Sequence, residues 1–129
     1  MTPMTRFIRT LDGVLINLDQ TRTIALIIDD NGDRHLIADV VGFDKTEIMS
    51  THVVDYPNDS DFRAGLSQSE WVFGRVRHEL ETWITEPALG VIFDTRESMH
   101  RARSEVLQEV SARSKARLDA LLRQTQRRR

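Results

Sequence analysis

The sequence predicts an α+β fold in which an antiparallel meander of four to five strands is followed by two helices, the last one long. Three observations favour this class. Short runs rich in β-branched residues, separated by turn dipeptides, fill the first 56 residues. Two later segments repeat apolar residues at steps of three and four, which is the period of a helix. The 129 residues suit a single domain over 1–129, and strands before helices are typical of the α+β arrangement.

Two dipeptides, Asp12-Gly13 and Asn31-Gly32, mark hairpins of the meander, because glycine supplies the positive φ that a tight turn needs. The second dipeptide predicts a two-residue type I′ turn. The strands are predicted in residues 6–18 (two short strands), 23–29, 34–41 and 47–56. Since their connections are short, we expect consecutive strands to pair antiparallel in one sheet over residues 1–56.

A capping box predicts where the first helix starts. Ser67 and Glu70 stand three residues apart, so that each side chain can accept a hydrogen bond from the backbone N–H of the other. The apolar face behind them consists of Val72, Phe73, Val76, Leu80, Trp83 and Ile84. Pro87 ends this packing helix, which is predicted over 67–86. Trp71 lies one position off the apolar face and is predicted to staple the helix start or to lie at an interface.

The segment 88–93 is ambiguous between a short strand and an apolar connection that covers the sheet, and its β-branched residues favour the strand. Asp94 or Thr95 can cap the helix that follows, with Glu97 completing a second capping box. This C-terminal helix is predicted over 95–125.

The apolar stripe of the C-terminal helix is uneven. It is interrupted over 111–117 and resumes at Leu118, Leu121 and Leu122. A helix of 30 residues is about 45 Å long, which exceeds what a small sheet can cover. We therefore predict that the helix either breaks near residues 111–114 or projects from the body with its second half.

Charge is divided along the chain. The first 95 residues carry 8 Lys and Arg against 16 Asp and Glu, a net of −8, and the rest carry 10 against 4, a net of +6. Arg113 and Arg117 share a helical face, and Arg123 begins a basic tail over 123–129. The arginines suit a contact with an acidic protein, a contact with nucleic acid, or a solvated helix end favoured by the helix dipole. The acidic body would repel a duplex, which argues against nucleic acid.

The sequence shows no established catalytic or metal-binding motif. It has no cysteine, so disulfides, thiolate ligands and a cysteine nucleophile are excluded. Its four histidines lack ligand spacing, and the acidic run at 29–33 fits a hairpin better than a calcium loop. We therefore predict no catalytic residue, no metal and no cofactor. The absence of a signal-peptide pattern and of a long apolar run predicts a cytoplasmic protein without membrane contact.

These observations predict a small, non-enzymatic protein–protein interaction module that associates with itself or with a protein partner through its C-terminal helix. A phage or plasmid accessory or regulatory protein would have this character. The predicted interaction residues are Trp71, Arg113, Arg117, Leu118, Leu121, Leu122 and Arg123. Two alternatives stay open: a nucleic-acid-binding protein that uses the basic helix, and a small enzyme or ligand-binding domain with its site between sheet and helix.

Overall fold

A computed structural model describes residues 4–51, 61–63 and 65–127 of the chain. The elements, in chain order, are β1 (Phe7–Arg9), β2 (Leu15–Asn17), β3 (Thr21–Ile28), β4 (Arg34–Val40), β5 (Thr46–Ser50), β6 (Asp61–Arg63), β7 (Leu66–Ser67), α1 (Gln68–Thr85), β8 (Ile92–Asp94) and α2 (Thr95–Arg127). Short 3-10 turns follow β2 and α1. This order confirms the α+β class, with strands first, two helices after them, and the last helix long.

The strands of the expected meander lie in two three-stranded sheets rather than in one. β3, β4 and β5 form one sheet and pair antiparallel in sequence order. The other sheet has the order β2-β1-β8, in which β1 pairs antiparallel with β2 and parallel with β8. β8 confirms the strand favoured at the end of segment 88–93. β5 ends at Ser50, and residues 52–56 of the predicted fifth strand lie outside the described residues.

Both predicted hairpins form, but their loops contain three residues. At the second hairpin, Asp29 N donates to Asp33 O at 3.0 Å and Gly32 N donates to Asp29 O at 3.0 Å, with Gly32 at a φ of +84°. Gly13 takes the same role in the first hairpin, where its N–H donates to Thr10 O at 2.9 Å. This pattern is typical of a turn followed by a glycine bulge. The two-residue type I′ prediction is therefore wrong in length and right in the position of its glycine.

Helix α1 starts and packs as its sequence predicts. Ser67 Oγ accepts from Glu70 N at 3.3 Å, and Glu70 Oε1 accepts from Ser67 N at 3.4 Å, which completes the capping box. Its buried residues are Ser69, Val72, Phe73, Val76, Leu80 and Trp83. Ile84 is only partly buried. The helix contacts both β4 and α2, so its apolar face lies at the centre of the core.

Helix α2 is continuous and does not break near residues 111–114. Asp94 caps it, because its Oδ1 accepts from the N–H groups of Arg96 at 3.1 Å and Glu97 at 3.3 Å. Its buried residues all come from the first half: Thr95, Ser98, Met99, Ala102 and Val106. Every residue over 111–127 is exposed. The projecting alternative is therefore correct, and at 1.5 Å per residue the exposed part extends about 25 Å. Among the described residues, neither helix is long and apolar enough to span a bilayer.

Replacing Leu80 with alanine should lower the free energy of unfolding by roughly 2–5 kcal/mol, because it removes buried methyl groups and leaves a cavity. Leu80 is 1% exposed, whereas its neighbour Glu81 is exposed. Urea denaturation of Leu80→Ala and Glu81→Ala measures the contrast. Equal losses for the two variants would mean that the buried face of α1 is misassigned.

Alanine should have opposite effects at two glycines that both have open space around a Cβ. Gly32→Ala should destabilise by about 1–2 kcal/mol, since Gly32 has a left-handed backbone. Gly74→Ala, within α1, should stabilise by roughly 1 kcal/mol through helix propensity. Thermal melting of the two variants tests the assignment, which fails if both shifts have the same sign.

Candidate interaction surface

The exposed part of α2, residues 111–127, is here called the projecting segment. Leu118, Leu121 and Leu122 lie on it with 57%, 55% and 54% of their surface exposed. Burial of apolar surface is favourable, so a partner that covers side chains as exposed as these would gain binding free energy. No described residue outside the helix covers these three leucines, which makes the segment the first candidate for a binding surface.

The leucines form a stripe whose centre is turned away from the buried face of α2. A helix turns by about 100° per residue, so Leu118 lies about 120° around the axis from the buried Val106 but only about 20° from Leu107. Leu107 is itself 60% exposed. We call Leu107, Leu118, Leu121 and Leu122 the leucine stripe. The leucines therefore resume the apolar stripe on the side of its exposed member Leu107, and Leu121, about 60° from Val106, lies nearest to the buried face.

Positive charge lies beside the leucine stripe. Lys115 and Arg117 fall on its two flanks, roughly 70–90° from its centre. Ser111 and Ser114 fill the stripe between Leu107 and the three distal leucines and keep that interval polar. The projecting segment carries five Lys and Arg against a single Asp. The face that carries the leucine stripe is thus apolar along its centre, with one cation on each flank.

Arg113 has a different environment from the other predicted interaction residues. Its two terminal nitrogens each donate to Phe62 O at 3.2 Å, and its guanidinium carbon lies 5.1 Å from the centroid of the Phe62 ring. It also lies 3.6 Å from Glu109, one turn earlier. Arg113 therefore ties α2 to β6 and marks the point where the helix leaves the body. Arg117 lies beyond this tie on the projecting segment.

Trp71 belongs to the same intramolecular cluster. Its ring meets the Phe62 ring edge-on, with the centroids 5.3 Å apart, and the Arg63 guanidinium lies 5.7 Å from its centroid. Arg63 in turn donates to both carboxylate oxygens of Glu109, at 2.7 and 3.1 Å. This hydrogen-bonded pair lowers the pKa of Glu109 and raises the pKa of Arg63. Of the two roles predicted for Trp71, packing at the start of α1 is the one its contacts support.

The predicted set thus separates into two groups. Leu118, Leu121 and Leu122 lie together on the projecting segment with Arg117 beside them, whereas Trp71 and Arg113 both contact Phe62. Arg123 is on the projecting segment but lies roughly 150° around the axis from the centre of the leucine stripe. The sequence analysis grouped Arg113 with the other interaction residues. The spacing of the arginines does not reveal its contact with β6, which lies about 50 residues earlier in the chain.

A cleft of about 460 Å³ lies between α1, β8 and the start of α2. Glu79 lies in it, where it accepts a hydrogen bond from Ser98 Oγ and one from Arg101 at 3.2 Å. Arg75 lies 3.8 Å from the same carboxylate. The Glu79 carboxylate is therefore engaged by three neighbouring groups and holds α1 against α2.

A second charged group lies on the sheet that contains β3. His35 Nε2 lies 2.7 Å from Asp29 Oδ2, and His35 Nδ1 lies 3.6 Å from Glu47 Oε1. The hydrogen bond to Asp29 is the main cause of the raised pKa of His35, and the same bond lowers the pKa of Asp29. The pair links the start of the second hairpin to β4.

Sequence reasoning missed the outer edge of β3, because it treated that segment only as a strand of the meander. Leu26, Ile27 and Ile28 are exposed in the structure. The signal was present in the sequence as an uninterrupted apolar run next to a turn, a pattern that is typical of a strand covered on both faces.

Comparison of the chain with protein-family models, with curated proteins and with solved structures finds no significant match.

Stability should fall with rising pH because of His35. Its raised pKa means that the stabilisation is complete below about pH 6.5, the usual histidine value, and is lost as the pH rises through the folded-state pKa. The lowered pKa of Asp29 adds stabilisation that is complete above about pH 4 and is lost as the pH falls through its folded-state pKa. Urea midpoints measured between pH 6 and 9 should decline for the native chain and decline less for His35→Gln. Parallel curves would contradict the assignment.

Proposed function

We propose that this protein is an interaction module that binds a protein partner through the projecting segment of α2. The observation that carries the proposal is the leucine stripe, which continues past the body on a helix with no cover among the described residues. Amphipathic helices that bind grooves place apolar anchors at steps of three and four, as Leu118, Leu121 and Leu122 do.

The continuity of α2 from its packed first half into the projecting segment supports this function. An isolated helix shorter than about 12–15 residues is marginal in water, because its first turn is costly to form. The projecting segment continues a helix whose first half is already packed, so that nucleation cost is absent. A binding helix that is formed in advance loses less conformational entropy when it meets its partner.

Charge defines the kind of partner. Lys115 and Arg117 beside the leucines favour an apolar groove whose rim carries carboxylates. Two projecting segments would bring like charges together, so direct pairing of the segments is disfavoured. The first 95 residues, with a net charge of −8, give a second copy of the chain a suitable overall charge as well. The wider prediction of a cytoplasmic phage or plasmid accessory protein belongs to this proposal, and the identity of the partner tests it.

Nucleic acid remains the competing ligand for the basic segment. Phosphate contacts would use Lys115, Arg117 and Arg123 but would leave the leucines in water. Arg113 is already engaged with Phe62. The leucine stripe therefore favours a protein over a phosphate backbone.

A photo-crosslinking side chain at Leu121 of the full chain tests the proposal in the native cell. The matched control is the same side chain at Ala116, which is exposed on the opposite side of the helix. We expect one discrete protein adduct from Leu121, none from Ala116, and binding of the identified purified partner that falls at least tenfold in a Leu118→Ser, Leu121→Ser variant. Nuclease-sensitive adducts, or equal adducts at both positions, would overturn it.

Truncation after Ser114 provides the stability control. It keeps Arg113 and every buried residue of α2, so the melting temperature should change by less than about 3 °C, the effect of a surface change. A collapse in stability would show that the projecting segment belongs to the core and would contradict the proposal independently of any partner.

A further inference from the structure

The sheet β3-β4-β5 has an open edge at β3. β3 pairs with β4 along its inner side, and no other described strand pairs with its outer side. Asp29 and Asp33 form a hydrogen-bonded pair at the hairpin end. Because bonded and non-bonded pairs alternate along an antiparallel ladder, the backbone N–H and C=O groups of Ile24, Leu26 and Ile28 point away from β4.

Over residues 24–28, this edge lacks the charges, prolines and bulges that usually keep an outer strand from pairing with another chain. Residues 24–28 are all apolar, without a charge or a proline, and the register irregularity of β3 lies outside them, between Thr21 and Thr23. Leu26, Ile27 and Ile28 are 37%, 44% and 60% exposed. A long apolar edge with free backbone groups is a template for pairing with another strand.

We propose that two copies of the chain pair antiparallel through β3, across a two-fold axis at Leu26, and so join their sheets into one of six strands. This interface is distinct from the projecting segment of α2 and does not depend on the function proposed for it. Two-fold dimers bury the same patch on both copies, so the patch has to be complementary to itself.

The sequence of β3 is self-complementary in one register. With the axis at Leu26, each residue of the run 24–28 faces another residue of the run, and Ala25 meets Ile27. A shift of the axis by one residue moves Ile28 towards Arg22 in one direction, and moves Ile24 towards Asp30 in the other. Either shift brings an apolar side chain nearer to a charge, which disfavours it.

Opposite charges lie near the two ends of the paired strands in this register. Arg22 and Asp30 are both exposed, Arg22 at the register irregularity of β3 and Asp30 at the first position of the hairpin loop. With the axis at Leu26, the end of β3 that carries Arg22 in one copy lies beside the end that carries Asp30 in the other. Symmetry produces this pair twice. Opposite charges that lie close together across an interface favour this register, and like charges disfavour it.

A groove beside Ile24 fits the same register. It has a volume of about 170 Å³ and lies between β3, β4 and α1, with Leu36, Leu80 and Ile84 in its lining. Leu26 is paired with the buried Leu36, so the even-numbered residues of β3 face the α1 side of the sheet. In the dimer, Ile28 of one copy lies opposite Ile24 of the other and can cover this groove.

Single cysteines test the register, because the native chain contains none. With the axis at Leu26, the two Leu26 Cα atoms form a bonded pair about 5.5 Å apart, which a disulfide can bridge. The two Ile28 Cα atoms are offset by about 13 Å, which it cannot. We expect mild oxidation to give a covalent dimer from Leu26→Cys and little from Ile28→Cys, while the double variant Ile24→Cys, Ile28→Cys cross-links again. Equal cross-linking of the two single variants would overturn the register.

Charge exchange tests the interface without a covalent bond. In sedimentation experiments, Arg22→Asp and Asp30→Arg should each raise the dimer Kd roughly tenfold or more, and the double variant should return it to within about threefold of the native value. Arg123→Asp is the matched control, with the same charge change on the projecting segment and no expected effect. A native chain that stays monomeric at all accessible concentrations, or a double variant that is no better than either single one, would overturn the proposal.

Discussion

The rest of the fold depends on how Arg6 holds the C-terminal end of α1. The last carbonyl groups of a helix have no partner within it, and a cation is favoured there. Arg6 donates to the carbonyl oxygens of Trp83, Ile84, Glu86 and Gly90. Its guanidinium carbon also lies 3.8 Å from the centroid of the Trp83 ring. One side chain, placed directly before β1, thereby satisfies the helix end and brings the chain after α1 back beside β1.

The direction of α2 follows from that arrangement. Once the chain returns, β8 pairs parallel with β1, and α2 begins at Thr95 with no loop after Asp94. The ladder between β1 and β8 therefore sets the axis of α2, while Glu79 and Arg113 attach the helix to α1 and β6. Buried side chains end at Val106 but the helix continues to Arg127. A continuous helix on a fixed axis that is longer than its body has to project.

The sequence could predict the structural features that a few neighbouring residues determine. The Ser67–Glu70 box, the positive φ of Gly32 and the buried face of α1 all depend on local spacing and were predicted. The parallel pairing of β8 and the contact of Arg113 with Phe62 join residues 51 to 85 positions apart, so the neighbouring residues in the sequence do not indicate these contacts. The direction of the leucine stripe could also be predicted, because the 11 residues from Leu107 to Leu118 place these two leucines on one face of the helix and turn it away from Val106.

The two candidate surfaces differ in a way that keeps them from competing. Residues 24–28 are neutral, and Arg22 and Asp30 lie two positions beyond the two ends of the run, so the charges near this patch have both signs and suit a second β3. The leucine stripe is bounded by Lys115 and Arg117, charges of one sign, so a second stripe repels it and an acidic rim suits it. Backbone pairing along an edge also requires an extended strand, which a helix cannot offer. The chemistry that surrounds each apolar patch therefore supports the two proposals, a second β3 at the edge and a partner with an acidic rim at the helix.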